Sequence, residues 1–360
     1  MTSPSAPETV ISVDALTRSV TDVLAAVGVP PGDAALIAAS LVEADRRGTH
    51  SHGVLRLPLY VEAVRAGGIV PDPEMRWVRE HGATAVLDAA GGFGQVATAL
   101  AVAKARELAA RHATAVVAVH GSSHYGAGAY WTNQLARDGL VALLVSTTGA
   151  TVTPFGGAEK LLGTNPLTLS FPTGDDEPVV LDMATSSGAY GRIVAAGKEG
   201  HPIPEGWAVD AAGAPTTDPH AALAGALLPF GGHKGSGLAI LLELLAGPLA
   251  GGNMAAETTD MWVDPSYRMG TGHLLWVVDP VGLHGDDTAI GRAAGFRRRL
   301  REATPAQGAR EVLSPGDVEQ RSAAAHAERV PVPASVLDDL AALADGLGLP
   351  DPRSAEAGRR

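Results

Sequence analysis

Residues 95–119 read QVATALAVAKARELAARHATAVVAV, and this stretch decides the fold class. Its first part, residues 95–112, predicts a helix, and the apolar run TAVVAV at residues 114–119 predicts a buried strand. The same order follows at once, since a helix is predicted over residues 125–137 and a strand over residues 140–146. This alternation of helix and strand predicts an α/β protein.

Outward from this stretch, helices are predicted towards both ends of the chain. Ser12 caps a first predicted helix, and Asp33 caps a second one that Gly48 ends. The remaining elements are strands at residues 167–171, 179–183 and 274–278, and helices at residues 234–246, 288–302 and 334–347.

Composition excludes several classes of protein. The 360 residues carry 27 Lys and Arg against 39 Asp and Glu, a formal net charge of −12. A negative field of this size repels phosphate backbones and anionic lipids, so we expect neither a nucleic-acid nor a membrane partner. The absence of Cys excludes disulfide scaffolds, thiol nucleophiles and thiolate zinc sites.

The sequence predicts no targeting or spanning segment. Residues 1–10 lack the basic and apolar regions of a secretory signal, so we expect a cytoplasmic location. The most apolar stretch, residues 237–252, contains Glu243 and Pro248 and is shorter than the ~20 residues that span a bilayer. It predicts a buried helix instead.

Neither common nucleotide fingerprint follows a predicted strand. The glycines of Gly126-Ala127-Gly128 come closest to G-x-G-x-x-G, but the third glycine is missing. An ordinary Rossmann domain and a P-loop enzyme are therefore both disfavoured.

The densest polar cluster is DRRGTHSHGVLRLPLY at residues 45–60. His52, Arg56 and Tyr60 are spaced so that they share one face of a helix, provided that the helix starting near Pro58 begins early enough. An imidazole that exchanges a proton and a guanidinium that clamps a carboxylate suit a substrate whose carboxylate lies beside a group that is protonated and reduced. The alternative is that His52 caps the helix and Arg56 forms a surface ion pair, and spacing does not choose between the two.

Two further polar residues lie at or beyond the ends of predicted strands. His124 lies beyond the strand TAVVAV, at the kind of strand end where α/β sheets bind ligands. Asp182 ends the strand at residues 179–183, where we expect it to hydrogen-bond His52, through Ser51, and to fix the imidazole tautomer. The alternatives are that Asp182 caps a helix or binds a backbone amide; for His120 a structural role is favoured.

A glycine-rich turn at residues 228–237, LPFGGHKGSG, surrounds Lys234 and opens a predicted helix. Backbone amides at a helix start together with one cation form an anion site. A phosphate group is the expected guest, although such glycine-rich helix starts are frequent.

Seven motifs in this order resemble the type 2 malate/L-lactate dehydrogenases, a family that includes ureidoglycolate, sulfolactate and diketogulonate oxidoreductases and cyclic imino-acid reductases. The motifs are ADRRGTHSHGVLRLPLY, SSHYGAGAYW, TPFGGAEKLLGTNPL, VVLDMATS, HPIPEGWAVD, TTDPHAALAGALLPFGGHKGSGLA and SPGD. The resemblance covers residues 11–349 and implies a non-Rossmann nicotinamide-binding α/β fold. It also implies a central mixed sheet with helical N- and C-terminal layers, and a homodimer.

The resemblance also implies roles for individual residues. The proton donor falls on His52, oriented by Ser51 and Asp182, while the ureidoglycolate branch places the acid/base on His124. Arg56 binds the substrate carboxylate with Tyr60 beside it. Contacts to NAD or NADP fall on Thr148, Asp182, Met183, Ala184, Lys234, Gly235, Gly316 and Asp317.

The expected organisation divides the chain into four parts. A helical N-terminal part over residues 8–80 contributes substrate residues, and an α/β nucleotide-binding core spans residues 81–310. A C-terminal helical part over residues 311–350 packs on the N-terminal part, and residues 351–360 form a flexible tail.

The expected activity is reversible hydride transfer between NAD(P) and a small 2-oxo acid, 2-hydroxy acid or cyclic imino acid. Departures from the family pattern lie near the pocket, at Gly121 and at Ser146-Thr147, where the family usually has amides, and at Arg192, a usual lysine. One rival is a metal hydrolase that uses His50, His52, His120 and His124, although we expect no metal. The other rival is a non-catalytic nucleotide-binding homologue.

Overall fold

A seven-stranded mixed sheet lies at the centre of the molecule. The structure is a computed structural model, and it describes residues 8–174 and 176–354. Residues 1–7 and the last part of the predicted tail, residues 355–360, lie outside the described residues. Within the tail, Arg353 forms ion pairs with Asp338 and Asp351.

The predicted helices and strands are present in the predicted order, and further elements lie among them. The helices are α1 (Val13–Ala26), α2 (Pro31–Arg46), α3 (Leu57–Ala66), α4 (Gly94–His112), α5 (Gly128–Arg137), α6 (Tyr190–Glu199), α7 (Pro219–Ala224), α8 (His233–Leu244), α9 (Pro280–His284), α10 (Thr288–Arg301), α11 (Asp317–Ala325) and α12 (Ala334–Asp345). The strands are β1 (Glu8–Ser12), β2 (Arg76–His81), β3 (Thr84–Asp88), β4 (Thr114–Ser122), β5 (Val141–Ser146), β6 (Leu167–Thr173), β7 (Asp176–Met183), β8 (Ala208–Val209), β9 (Pro215–Thr216), β10 (Ala226–Leu227), β11 (Thr271–Val278) and β12 (Arg329–Pro333).

The central sheet has the order β2-β3-β4-β11-β5-β6-β7. Strands β3 and β4 are parallel, whereas the other neighbouring pairs are antiparallel. Because β11 is antiparallel to both β4 and β5, and β6 is antiparallel to both β5 and β7, strands β4, β5 and β7 run in the same direction. Their carboxyl ends therefore meet at one edge of the sheet, where side chains from three strands converge.

The two N-terminal helices form as their sequences predict, except for one cap. The Ser12 hydroxyl accepts the Ala15 amide N–H at 3.4 Å and so caps α1. The prediction that Asp33 caps α2 is wrong, because that helix starts at Pro31, whose ring suits the first helical position, and no side chain caps it. Asp33 lies in the first turn instead.

The N- and C-terminal segments share a hydrophobic core. Strands β1 and β12 pair antiparallel, with Ile11 opposite Val330. Leu16 of α1 and Leu337 of α12 are fully buried in the same cluster. The strand β2 starts at Arg76, inside the predicted N-terminal part, and belongs to the central sheet. The four-part division itself stays a prediction.

A smaller unit that the sequence patterns do not reveal lies between β7 and α8. Strands β8, β9 and β10 have two residues each and form a three-stranded sheet. Helices α6 and α7 pack with this small sheet, and Ile193 and Ala222 are buried there. Strands of two residues are too short to show the alternation that predicts a strand.

The most apolar stretch of the sequence forms α8 and a following π-helical turn, Leu245–Leu249, which contains Pro248. Its Ala246 is fully buried, whereas Leu241 and Leu244 are exposed. Within residues 8–174 and 176–354, none of the helices combines the length and apolar character that a bilayer crossing requires.

Candidate active site

Two short 3-10 turns, His50–His52 and Val54–Arg56, carry the first functional side chains. Gly53 separates them in an extended conformation with φ −86° and ψ −159°. The expectation that one helix face holds His52, Arg56 and Tyr60 is therefore wrong, since only Tyr60 lies on α3. The extended backbone at Gly53 separates the two turns, yet all three side chains lie in one region, because His52 and Tyr60 both approach His124 and Arg56 lies near His52.

A buried carboxylate holds these turns in place. Asp45, which is 2% exposed, accepts hydrogen bonds from the Val54 amide at 2.8 Å and from His50 Nδ1 at 2.9 Å. A Cβ on Gly53 would lie 2.1 Å from the Asp45 carboxylate, so the close approach requires glycine. The end of α2 thus fixes the position of the His52 turn.

His52 is partly buried and stacks on His124, with ring centroids 5.4 Å apart and an interplanar angle of 23°. Its Nδ1 lies 3.0 Å from the Ser51 hydroxyl, which matches the expected contact between these two residues. Burial, assisted by the Arg56 cation, lowers the pKa of His52 to about 4. Both rings are neutral at pH 7, because burial also holds the pKa of His124 well below its usual value.

A hydrogen-bond chain fixes the tautomer of His124. The Gly126 amide donates to His124 Nδ1 at 3.3 Å, so Nδ1 is the unprotonated nitrogen. The Tyr60 hydroxyl lies 2.7 Å from the same nitrogen and therefore donates to it, while Gln95 Nε2 donates to the Tyr60 oxygen at 3.0 Å. The neutral ring of His124 consequently carries its proton on Nε2.

The role expected for Tyr60 changes accordingly. Its side chain is 1% exposed, and its hydroxyl is engaged by His124 and Gln95. Burial raises the pKa of Tyr60 to about 12, so the phenol keeps its proton. Tyr60 is thus placed to orient His124 rather than to contact a substrate.

Arg56 is held on two sides. Its Nε donates to the Ser51 carbonyl at 2.7 Å, and its guanidinium lies 5.3 Å from the centre of the Trp262 ring. Among the ion pairs of the described residues none involves Arg56, so the surface ion pair of the alternative interpretation is not formed there. A cation that is positioned but unpaired is suited to binding a carboxylate.

Asp182 does not contact His52. It is an exposed residue on the edge strand β7, and its carboxylate accepts the Ala129 amide at 2.8 Å and the Thr168 hydroxyl at 2.8 Å. The predicted relay from Asp182 through Ser51 to His52 is therefore wrong as a direct contact. The backbone-amide alternative is observed, since Ala129 lies in the first turn of α5, where a carboxylate stabilises the helix dipole.

His273 is a buried residue of the site region that sequence reasoning missed. It is 1% exposed on β11, and its Nδ1 lies 2.9 Å from the Ser146 hydroxyl and its Nε2 2.8 Å from the Ser122 hydroxyl. Ser146 donates to the Thr147 carbonyl at 2.9 Å, so it accepts from His273 Nδ1–H. A polar residue inside the apolar run HLLWVV was the available signal.

The histidines of the metal-hydrolase interpretation do not converge. His50 pairs with Asp45 at 2.9 Å, and His120 lies 3.8 Å from Asp88. In the part of the chain that the structure describes, no group of three or more His, Asp and Glu side chains has a metal-binding arrangement. The two remaining histidines, His52 and His124, stack on each other instead.

Three of the expected cofactor contacts lie at the sheet edge that carries His124. Thr148 follows β5, while Met183 ends β7 and Ala184 follows it. The Thr148 hydroxyl accepts the Thr164 amide at 2.9 Å, which ties the two neighbouring loops together. The topology thus brings these residues and the histidine pair to the same side of the sheet.

The start of α8 has the features of a phosphate site. Lys234 is exposed, and none of the ion pairs among the described residues includes it. A Cβ on Gly235 would lie 1.8 Å from the Phe230 carbonyl oxygen, so glycine is required for the tight turn into the helix. A free cation beside helix amides fits a pyrophosphate, and the residues present therefore fit a nicotinamide dinucleotide.

The last two expected cofactor contacts differ from each other. Gly316 has φ +91° and packs on Val180 of β7, the strand that also carries Asp182. Asp317 is 2% exposed and forms ion pairs with Arg297 at 2.8 Å and Arg301 at 2.7 Å. Burial opposes ionisation, but these two guanidinium groups outweigh it and hold the pKa of Asp317 well below its usual range. A cofactor contact from its carboxylate is therefore not supported.

Comparison with known proteins identifies the family. A family model described as malate/L-lactate dehydrogenase matches residues 11–341. A (2R)-3-sulfolactate dehydrogenase (NADP(+)) of Chromohalobacter salexigens is 36% identical over 321 residues, which are 89% of this chain and 94% of the relative. A ureidoglycolate dehydrogenase (NAD(+)) of Escherichia coli O157:H7 is 37% identical over 317 residues, which are 87% of this chain and 90% of the relative.

The fold is shared with solved structures as well. The crystal structure of delta1-piperideine-2-carboxylate reductase from Pseudomonas syringae pvar. tomato matches with a TM-score of 0.82 at 34% sequence identity, covering 93% of this chain and 100% of that one. Sequence and structure comparisons thus agree over nearly the whole chain, and the chain belongs to the malate/L-lactate dehydrogenase family.

Proposed function

We propose that the protein catalyses reversible hydride transfer between NAD(P) and the carbon next to the carboxylate of a small 2-oxo acid, 2-hydroxy acid or cyclic imino acid. The observation that carries the proposal is the stacked pair of His52 and His124 beside the unpaired Arg56 guanidinium. This group supplies a charge for the carboxylate and two imidazoles for the proton. The named relatives are dehydrogenases and reductases of hydroxy acids and imino acids.

The cofactor, when bound, supplies or accepts the hydride. Lys234 and the amides at the start of α8 are proposed to hold its phosphates. Thr148, Met183, Ala184 and Gly316 are proposed to line the rest of its path along the sheet edge.

Arg56 is proposed to bind the substrate carboxylate and, by doing so, to raise the pKa of His52. The guanidinium is one cause of the low pKa of that imidazole. A carboxylate placed on Arg56 offsets the cation, so the imidazolium form of His52 becomes easier to reach. Ser51 holds the ring, and His52 then donates a proton to the reduced group or removes it in the reverse direction.

His124 is proposed to polarise the group that is reduced. Its Nε2–H is a hydrogen-bond donor because the Tyr60 hydroxyl occupies Nδ1. A neutral donor fixed in position stabilises negative charge as it develops on the substrate oxygen or nitrogen. The two histidines therefore divide the work between proton transfer and charge stabilisation.

A substrate screen with two variants tests this function. Purified protein is mixed with 2-oxo acids and cyclic imino acids in the presence of NADH or NADPH, and the absorbance of the reduced nicotinamide is followed. We expect His52→Ala to lower kcat by ~10²- to 10⁴-fold and Arg56→Ala chiefly to raise KM. The exposed His81 of β2 provides the control variant His81→Ala. Turnover that is unchanged in both site variants would contradict the assignment.

We also propose a homodimer and a cytoplasmic location. Support for the homodimer is the exposed apolar surface of α8, where Ile240, Leu241 and Leu244 are 40%, 59% and 47% exposed. Sedimentation of Leu241→Glu, with Leu283→Glu on α9 as the control, is expected to show a monomer only for the first variant. The location stays a prediction from the sequence, and cell fractionation measures it.

A further inference from the structure

A buried carboxylate, Asp260, lies near the Arg56 guanidinium and has no part in the roles argued above. Asp260 is 5% exposed, and its Oδ1 accepts the Gly149 amide N–H at 3.1 Å. Among the described residues no hydrogen-bond donor reaches Oδ2. This oxygen is also absent from the set of fully buried polar atoms without a partner, so it is not closed off from solvent. One carboxylate oxygen is thus fixed by the backbone and the other is open to a ligand.

Asp260 lies between the residues proposed for substrate and for cofactor. Trp262, two positions further, carries the Arg56 guanidinium on its ring at 5.3 Å. Gly149, which holds the carboxylate, directly follows Thr148, a proposed cofactor contact. A ligand held by Arg56 beside a nicotinamide is therefore expected near Asp260.

The two charges are close without touching. Arg56 and Asp260 do not form an ion pair within 4.0 Å among the described residues. The guanidinium is nevertheless near enough to offset part of the rise that burial causes in the pKa of Asp260. Gly149 permits the arrangement, because a Cβ there would lie 2.4 Å from Asp260 Oδ2. A guanidinium and an open carboxylate oxygen in one region suit a small molecule that carries one negative and one donor group.

We propose that Asp260 is a specificity-determining residue of the substrate pocket, where its open oxygen accepts a hydrogen bond from an N–H donor next to the substrate carboxylate. The favoured substrate class is a monocarboxylate with a protonated C=N group, rather than a dicarboxylate or a sulfonated acid. A second acidic group would meet the Asp260 carboxylate, and like charges repel. The role of Asp260 in the reaction rests on the proposed function, whereas its role in ligand binding can be tested without turnover.

The ionisation of Asp260 sets the conditions for a test. Burial raises its pKa to about 6, while the Gly149 hydrogen bond and the Arg56 cation pull in the opposite direction. At pH 8 the carboxylate is ionised and acts only as an acceptor. Binding is therefore measured at pH 8.

Two planar acids of nearly the same shape isolate the hydrogen bond. Pyrrole-2-carboxylate offers a ring N–H beside its carboxylate, whereas furan-2-carboxylate offers a ring oxygen. We expect isothermal titration calorimetry to show at least ~10-fold tighter binding of the pyrrole to the unmodified protein, since a site built to accept a donor rejects the analogue that lacks one.

Asp260→Asn is expected to remove or invert that preference. The Gly149 N–H retains the amide oxygen, so the amide NH₂ faces the pocket and acts as a donor. The ratio of two affinities in one preparation does not depend on how much of the variant is folded. The matched control is Asp264→Asn, an exposed carboxylate four residues further that bonds Ser266 and should leave the ratio unchanged. An equal ratio in the unmodified protein and in Asp260→Asn overturns the inference.

Kinetics separate this inference from the proposed function. We expect Asp260→Asn to shift the ratio of kcat/KM for delta1-piperideine-2-carboxylate over oxaloacetate by at least ~10-fold towards oxaloacetate. Turnover with an unshifted ratio overturns the role of Asp260 and leaves the proposed function standing. Absence of turnover with every 2-oxo and imino acid, while the pyrrole preference persists, overturns the proposed function and leaves the binding role of Asp260 standing.

Discussion

At the scale of single residues, burial and the charge on Arg56 together set the protonation of the neighbouring groups. Burial and, to a smaller extent, the cation keep His52 neutral in the free protein, with a pKa of about 4. A general acid with so low a pKa is rarely protonated at pH 7, so His52 has to take up its proton when the substrate binds. The site is therefore expected to couple binding of a carboxylate to uptake of a proton.

The pH dependence of reduction checks this coupling. In the reduction of a 2-oxo acid, only the imidazolium of His52 donates a proton, so the rate of that reduction is expected to fall as pH rises through the pKa of His52. The profile of kcat/KM reports the free enzyme and should bend near pH 4, whereas the profile of kcat reports the complex and should bend at a higher pH. Coincident bends in the two profiles would contradict the coupling.

Tyr60 provides a second residue-scale prediction. Tyr60→Phe removes the hydroxyl that donates to His124 Nδ1 and leaves Gln95 Nε2 without its acceptor. We expect kcat to fall by about 10-fold with little change in KM, and the free energy of unfolding to fall by ~1–3 kcal/mol. Steady-state kinetics and urea unfolding measure these effects. Tyr267→Phe, which removes an exposed hydroxyl bound to the Glu257 carbonyl, is the control.

At the scale of elements, the start of α8 is the most constrained piece of the proposed cofactor path. Gly235 packs against the Phe230 carbonyl, whereas Gly237 on the same helix has no atom within 4 Å of an added Cβ. A change from glycine to alanine on this helix therefore clashes with the backbone at Gly235 and is accommodated at Gly237.

Gly235→Ala is expected to displace the helix start and to weaken NAD(P) binding by at least ~10-fold, because the amides that face the phosphates move. Gly237→Ala should leave the dissociation constant unchanged, since alanine also favours the helix. Quenching of protein fluorescence by NADH or NADPH measures both affinities. Equal affinities for the two variants would show that α8 does not hold the phosphates.

At the scale of the whole molecule, the buried His273 network joins the three central strands. His273 on β11 bonds Ser122 of β4 and Ser146 of β5, so unfolding exposes it together with the core. Burial lowers its pKa to about 3, against a usual value of 6.5. The native state therefore disfavours a proton that the unfolded chain accepts.

This difference makes stability depend on pH with a defined sign. Below pH 6.5 the unfolded chain binds the proton and the native state does not, so the free energy of unfolding falls as pH falls towards 3. The contribution of His273 is ~1.4 kcal/mol per pH unit in this window. Urea unfolding at pH 7, 6 and 5 should show a shallower pH slope for His273→Asn than for the unmodified protein. Parallel slopes would mean that another group dominates.

The sequence by itself determined the fold class and the order of the main elements, and it singled out most of the residues that form the candidate site. These features follow from local sequence patterns, because the apolar run TAVVAV predicts a buried strand and the glycines around Gly235 predict a turn. The resemblance carried by seven ordered motifs pointed to the family to which the chain belongs. His52, His124 and Arg56 were all singled out before their geometry was known.

Only the tertiary structure decided which of those residues meet. The extended backbone at Gly53, the Tyr60 hydroxyl on His124 and the Asp182 carboxylate under α5 depend on contacts between segments far apart in sequence. The sequence does not distinguish Asp260 from Asp317. In the structure Asp260 keeps one carboxylate oxygen without a partner, whereas Asp317 forms ion pairs with two arginines. The physical reason is that burial and partners set the chemistry of a carboxylate, and both are properties of the packed chain.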